Sequence, residues 1–103
     1  MFDSVKGHWI ASDSQNDFII GYENGEYIHL NSEGPIHLFL NDDGRYALEF
    51  DNYKEYGTYT ANEKKVTLMK SDGLITENCE LKKENELHCN KYASLYIKQK
   101  NDY

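Results

Sequence analysis

The sequence holds one proline, one arginine, one tryptophan and two cysteines in 103 residues. No apolar run approaches the roughly 18 residues of a membrane-spanning helix, so no such span is expected. Basic residues are scarce. Eleven Lys and Arg face 18 Asp and Glu, for a formal net charge of −7. That balance argues against nucleic acid as a partner, since such binding draws on Lys and Arg set against phosphates. The chain lacks a Gly-x-Ser-x-Gly elbow, a His-Glu-x-x-His helix and a glycine loop for phosphate. Asp42-Asp43-Gly44 is too short for a calcium loop and reads as a turn. The Asp, Glu, Ser and His residues form no ordered constellation, so the chain is read as non-enzymatic, with no cofactor and no metal. No stretch has the periodicity of a helix.

What is present is aromatic and alternating. There are nine Tyr and four Phe beside the Trp. The length fits one domain, residues 1–103, which can bury about two-thirds of its unfolded surface. Charge is uneven: residues 1–60 hold 11 acids and three bases, and residues 61–103 hold seven acids and eight lysines. Excess acid of this kind keeps a small domain soluble, or forms a docking surface for a basic partner. Asp42-Asp43 is the only adjacent acidic pair.

Short apolar alternations recur every 8–11 residues between turn signals, which predicts eight to ten strands. They fall near 7–13, 17–23, 26–31, 35–41, 45–51, 55–60, 65–70, 74–81 and 86–98. Almost every link is tight. The expected fold is therefore all-β, an antiparallel up-and-down meander closed, or nearly closed, into a barrel. Asn24-Gly25 suits a two-residue I′ turn and pairs Tyr22 with Tyr27, Gly21 with Ile28 and Ile19 with Leu30. Asp42-Asp43-Gly44 suits a three-residue loop and pairs Leu40 with Tyr46, Leu38 with Leu48 and Ile36 with Phe50. A turn at Asn62-Glu63 sets Tyr59 opposite Val66 and Gly57 opposite Leu68. A turn at Lys83-Glu84-Asn85 pairs Leu81 with Leu87 and Cys79 with Cys89. In the last run the parity of Leu87 and Cys89 continues through Ala93, Leu95 and Ile97, with a bulge near Asn90-Lys91.

The two cysteines face each other at a non-hydrogen-bonded pair, where Cα atoms approach to about 4.5 Å. They form either a disulfide, which favours an exported or periplasmic setting, or two buried thiols, which suit the cytoplasm. The opening Met1-Phe2-Asp3-Ser4-Val5 has no basic and no apolar leader segment. It reads as the start of a cytosolic protein or of a mature exported domain. His29 and His37 fall on neighbouring strands, where they read as surface residues. The expected core comprises Trp9, Ile19, Ile28, Leu30, Ile36, Leu38, Leu40, Tyr46, Leu48, Phe50, Tyr59, Val66, Leu68, Leu81, Leu87, Leu95 and Ile97.

The first hairpin breaks the pattern. Ile19, Gly21, Ile28 and Leu30 make one face. Phe18, Ile20, Tyr22 and Tyr27, with His29, make the other. A hairpin with one wet face should alternate, so something is expected to cover the second face. The candidates are a second copy of the chain, a target protein, or the chain's own Phe2–Val5 segment.

Gly7-His8-Trp9 at the start of the first strand, with Gly57-Thr58-Tyr59-Thr60 followed by Lys65-Val66-Thr67-Leu68, resembles the lipocalin-like (calycin) barrels, in particular small bacterial ones. The resemblance implies a closed barrel with Trp9 packed across one end and a small lipophilic ligand inside, near Trp9, Tyr46, Phe50 and Tyr59. The chain is shorter than a full lipocalin and has no long helix near its C-terminus. Two functional expectations follow. The first is a non-enzymatic protein-binding domain of the inhibitor or immunity type, using Phe18, Ile20, Tyr22, Tyr27, Asp42 and Asp43. The second is a carrier of a small lipophilic ligand.

Overall fold

Large apolar residues at every second position turn one side of a strand inward. Ile36, Leu38 and Leu40 are buried, with His37 and Phe39 half-buried between them. Tyr46, Leu48 and Phe50 repeat the pattern. The computed structural model describes residues 5–12, 17–31, 34–50, 53–73 and 75–100. Ten strands run in order: β1 (Gly7–Ala11), β2 (Asp17–Glu23), β3 (Glu26–Asn31), β4 (Ile36–Leu40), β5 (Arg45–Phe50), β6 (Tyr53–Asn62), β7 (Lys65–Lys70), β8 (Ile75–Lys83), β9 (Glu86–His88) and β10 (Leu95–Lys98). Eight close into an antiparallel barrel, ordered β1-β10-β9-β8-β7-β6-β5-β4, while β2 and β3 form a separate two-stranded sheet. The all-β barrel is as the sequence predicts, but its meander is not continuous. β1 pairs directly with β4, Ala11 opposite Ile36, and the β2–β3 hairpin is an excursion between them.

The core fills the barrel with Val5, Trp9, Leu38, Leu48, Leu68 and Leu87 among its fully buried members. Val5 belongs to this core, so it does not cover the hairpin; Phe2 lies outside the described residues. Trp9 is buried, and its indole N–H donates to the Val5 carbonyl at 2.9 Å. Leu38 pairs with Leu48 and Leu40 with Tyr46, as the Asp42-Asp43-Gly44 loop dictates, with Gly44 at φ +85°.

Two registers and one turn differ from expectation; the turn between β8 and β9 is Glu84-Asn85, with Lys83 opposite Glu86, and a bulge between Leu81 and Lys83 restores the expected Leu81–Leu87 pairing. Between β6 and β7 the turn sits at Glu63-Lys64, with Glu63 at φ +58°, so Tyr59 faces Leu68 and Ala61 faces Val66. Asn62 closes the ladder opposite Lys65 instead of occupying the turn. The slip is two residues, so the inward face is unchanged. In the first hairpin, Tyr22–Tyr27 and Gly21–Ile28 pair as expected, but a bulge between Ile19 and Gly21 pairs Ile19 with His29 and Phe18 with Leu30. The division into two faces therefore holds only near the turn.

The last run is two strands. Residues 89–94 reverse the chain, with the Cys89 amide donating to the Ser94 carbonyl at 3.2 Å, and β10 returns antiparallel to β9. Tyr96 then faces Leu87, and both are buried, while Leu95 and Ile97 are only half-buried. Leu81 is likewise half-buried, and Ile28 is 37% exposed on the hairpin. The side chains of Ile19 and Leu30 lie outside the described residues. No helix among the described residues is long and apolar enough to cross a membrane.

Candidate functional site

The hairpin is the part of the chain the barrel does not use. Asn24 at φ +53° and Gly25 at φ +81° make its turn, and both signs require residues tolerant of the left-handed region. Every residue from Tyr22 to His29 is exposed, so nothing in the described chain covers either face of the tip. Tyr22 and Tyr27 are 65% and 62% exposed, and their rings meet edge to face at 5.1 Å. Beside them Glu23 stands directly opposite Glu26, and both are exposed. Like charges opposed across a ladder weaken the free hairpin. The side chains of Phe18 and Ile20 lie outside the described residues. Asp42 and Asp43 are exposed in the β4–β5 turn, at the far end of β4 from the hairpin's root. Asp43 there accepts the Arg45 amide at 3.0 Å. The structure thus brings Tyr22 and Tyr27 together and leaves the acidic pair in a separate place.

A second constellation lies inside the barrel. Glu55 and Glu77 are each 2% exposed. Gly57 makes room for it: a Cβ there would strike the Met69 carbonyl and the Tyr46 ring. Tyr46 lies over that glycine and donates to Glu55 Oε2 at 2.6 Å. Tyr53 and Tyr92 both donate to Glu55 Oε1 at 2.7 Å. Glu77 Oε2 accepts the amides of Lys91 (2.9 Å) and Tyr92 (3.2 Å), which pins the 89–94 connection against β8 and aims the Tyr92 hydroxyl at Glu55. The Cys79–Cys89 disulfide, with Cα atoms 4.2 Å apart, ties the same two segments.

Glu77 Oε1 and the Tyr96 hydroxyl are buried without a hydrogen-bond partner among the described residues. Burial, with Glu55 adding repulsion, pushes the Glu77 carboxyl up to about 7 against the pull of its two amide donors. Burial likewise raises the Tyr53, Tyr92 and Tyr96 phenols, with Glu55 adding to each. This is a proton-holding network that fixes β5, β6, β8 and the 89–94 connection to one another; it contains no exposed nucleophile. Parity could have revealed both acids. Glu55 lies two residues before Gly57 and four before Tyr59, on their inward face, and Glu77 lies two before Cys79.

The residues expected to line a ligand pocket, Trp9, Tyr46, Phe50 and Tyr59, are all buried members of the core. Tyr59 donates to the Asn41 carbonyl at 2.6 Å, and burial, followed by the charges of Asp42 and Asp43, pushes its phenol up to about 12. A shallow groove of about 450 Å³ opens elsewhere, on the outer wall of β7–β9 beside Thr67, Asn78 and His88.

On the opposite wall His37 meets His8, not His29, which is on the hairpin. His8 Nε2 and His37 Nδ1 are 2.9 Å apart. Partial burial, then the neighbouring His37, hold the His8 imidazole below its usual value.

Comparison with known proteins finds no match: no family model fits the chain, and no curated protein or solved structure is significantly similar. The class is thus defined by the fold alone, a small closed antiparallel barrel carrying one hairpin outside its wall.

Proposed function

We propose that this is a non-enzymatic binding domain that docks the β2–β3 hairpin onto a basic protein surface, in the manner of an inhibitor or immunity-type partner. The observation that supports the reading is an aromatic pair, Tyr22 and Tyr27, left open on a hairpin that belongs to no other sheet. Tyrosine gives large contact area at small entropic cost and is favoured at interfaces. The Glu23–Glu26 opposition supports a basic partner, because a cation set between them removes the repulsion. Residues 1–60 supply the same sign at longer range, with 11 acids against three bases. The barrel, lipocalin-like in its sequence pattern, is the scaffold. The Cys79–Cys89 disulfide suits an oxidising, exported or periplasmic setting.

The test is a paired capture from native extract with the wild-type chain and the Tyr22→Ala/Tyr27→Ala double variant. The reading requires a protein with a basic surface that the wild type retains and the double variant loses, with Glu23→Lys/Glu26→Lys losing it too. Identical captures by all three chains would refute it.

A further inference from the structure

We infer that His8 and His37 form a binding site for a late first-row divalent metal ion on the outer wall of the barrel, with Glu49 as a third ligand. The two histidines come from β1 and β4, neighbours in the barrel, and both are half-buried on the outer wall. Their ring centroids are 5.2 Å apart at 21°, with the two nitrogens only 2.9 Å apart. The rings therefore meet edge to edge, nitrogen toward nitrogen. Phe39 holds them there: it stands opposite His8 in the ladder and stacks on its ring at 4.4 Å and 12°. A ligand ring locked by packing loses little freedom when an ion arrives.

Without metal, one nitrogen must carry the proton that the other accepts. With metal, the proton between the rings moves to the far nitrogen of the ring that carried it, leaving His8 protonated on Nδ1 and His37 on Nε2. Both facing nitrogens then present lone pairs, and no net proton leaves the neutral pair. Metal–imidazole bonds of about 2.0–2.1 Å in a tetrahedral site put the two nitrogens about 3.4 Å apart, so the pair has to open by about half an ångström and each ring has to turn toward the ion. Imidazole donors select zinc, copper and nickel over calcium and magnesium.

The third ligand follows from register. Glu49 stands directly opposite His37 across β4–β5. Its flanking residues Leu48 and Phe50 are buried, so Glu49 shares the outer wall with the histidines. Directly opposed residues have Cβ atoms about 4.5–5.5 Å apart; the Glu49 carboxylate does not lie beside both facing nitrogens in the structure, so it joins the ion by a change of rotamer. An ion held there joins three adjacent strands, β1, β4 and β5, of which β1 and β4 flank the hairpin.

The test is calorimetric titration of the chelator-stripped full chain with zinc ion at mildly alkaline pH. One ion per chain is expected. His8→Ala and His37→Ala should each weaken binding at least roughly tenfold, and Glu49→Gln several-fold. His29→Ala and His88→Ala should leave it unchanged. Zinc should raise the thermal unfolding midpoint of the wild type and leave that of the His8→Ala/His37→Ala double variant where it is. Absence of saturable uptake, or uptake by the double variant equal to the wild type, would overturn the site. Full affinity in Glu49→Gln would overturn the assignment of the third ligand.

Discussion

The barrel and the hairpin use the same residue types to opposite ends. In β4 and β5 buried residues alternate strictly with half-buried or exposed ones, and Leu38 and Leu40 face buried partners, Leu48 and Tyr46, across the ladder. In β2 and β3 the apolar and aromatic residues fall at consecutive positions, and the tip is exposed on both faces. Tyrosine shows the contrast best. Tyr46 and Tyr92 are buried with their hydroxyls on Glu55, whereas Tyr22 and Tyr27 are exposed and meet each other edge to face. The lesson is that a strand's pattern reports how many of its faces are to be covered, while the covering element can belong to another molecule.

The comparison can be broken from the barrel side first. Leu38→Asp puts an unpaired carboxylate at a fully buried position, which costs several kcal/mol of a total stability of about 5–15 kcal/mol. The expected result is no cooperative unfolding transition; a soluble variant with unchanged β-type circular dichroism would refute the register of β4. Glu55→Ala strips the acceptor from three tyrosine hydroxyls at once, and urea unfolding should show a loss of about 3–5 kcal/mol.

Glu77 gives a pH signature. Its carboxyl is raised from an ordinary 4.5 to about 7, so the native state holds the proton more tightly than the unfolded chain. The associated stability is complete below pH 4.5 and is lost as pH rises through 7. Glu77→Gln should therefore unfold like the wild type in acid and be more stable above neutrality, by on the order of 3 kcal/mol. Parallel stability curves for the two proteins would contradict this. Reducing the Cys79–Cys89 bridge, which spans ten residues, should cost about 2.5–3 kcal/mol by loss of the loop constraint, read as a lower denaturation midpoint under reductant.

Much of the barrel was legible because period two and turn chemistry are local. Leu38–Leu48 follows from loop length alone, whereas Leu81–Leu87 and the adjoining Cys79–Cys89 bridge keep their expected places because a bulge between Leu81 and Lys83 offsets a turn shorter by one residue. The misreadings arose where the decisive contact was distant. Nothing local distinguishes a bulge at Asn90-Lys91 from a reversal; what stabilises the reversal is Glu77, on another strand, accepting the Lys91 and Tyr92 amides. That reversal changes the inward residue from Leu95 to Tyr96. The hairpin's composition was legible as anomalous, but its place outside the barrel was not, because it depends on β1 pairing with β4. The His8–His37 contact arises from that same long-range pairing.

The most direct measurement is to remove the hairpin. Ala11 and Ile36 already stand opposite each other, so residues 13–34 can be replaced by an Asn-Gly turn between Ser12 and Pro35. The expected product is a folded barrel whose thermal midpoint lies within about 5 °C of the wild type, a change worth roughly 1 kcal/mol, together with complete loss of the captured partner. A shortened chain that fails to fold, or one that still captures the partner, would contradict the separation of scaffold from docking arm.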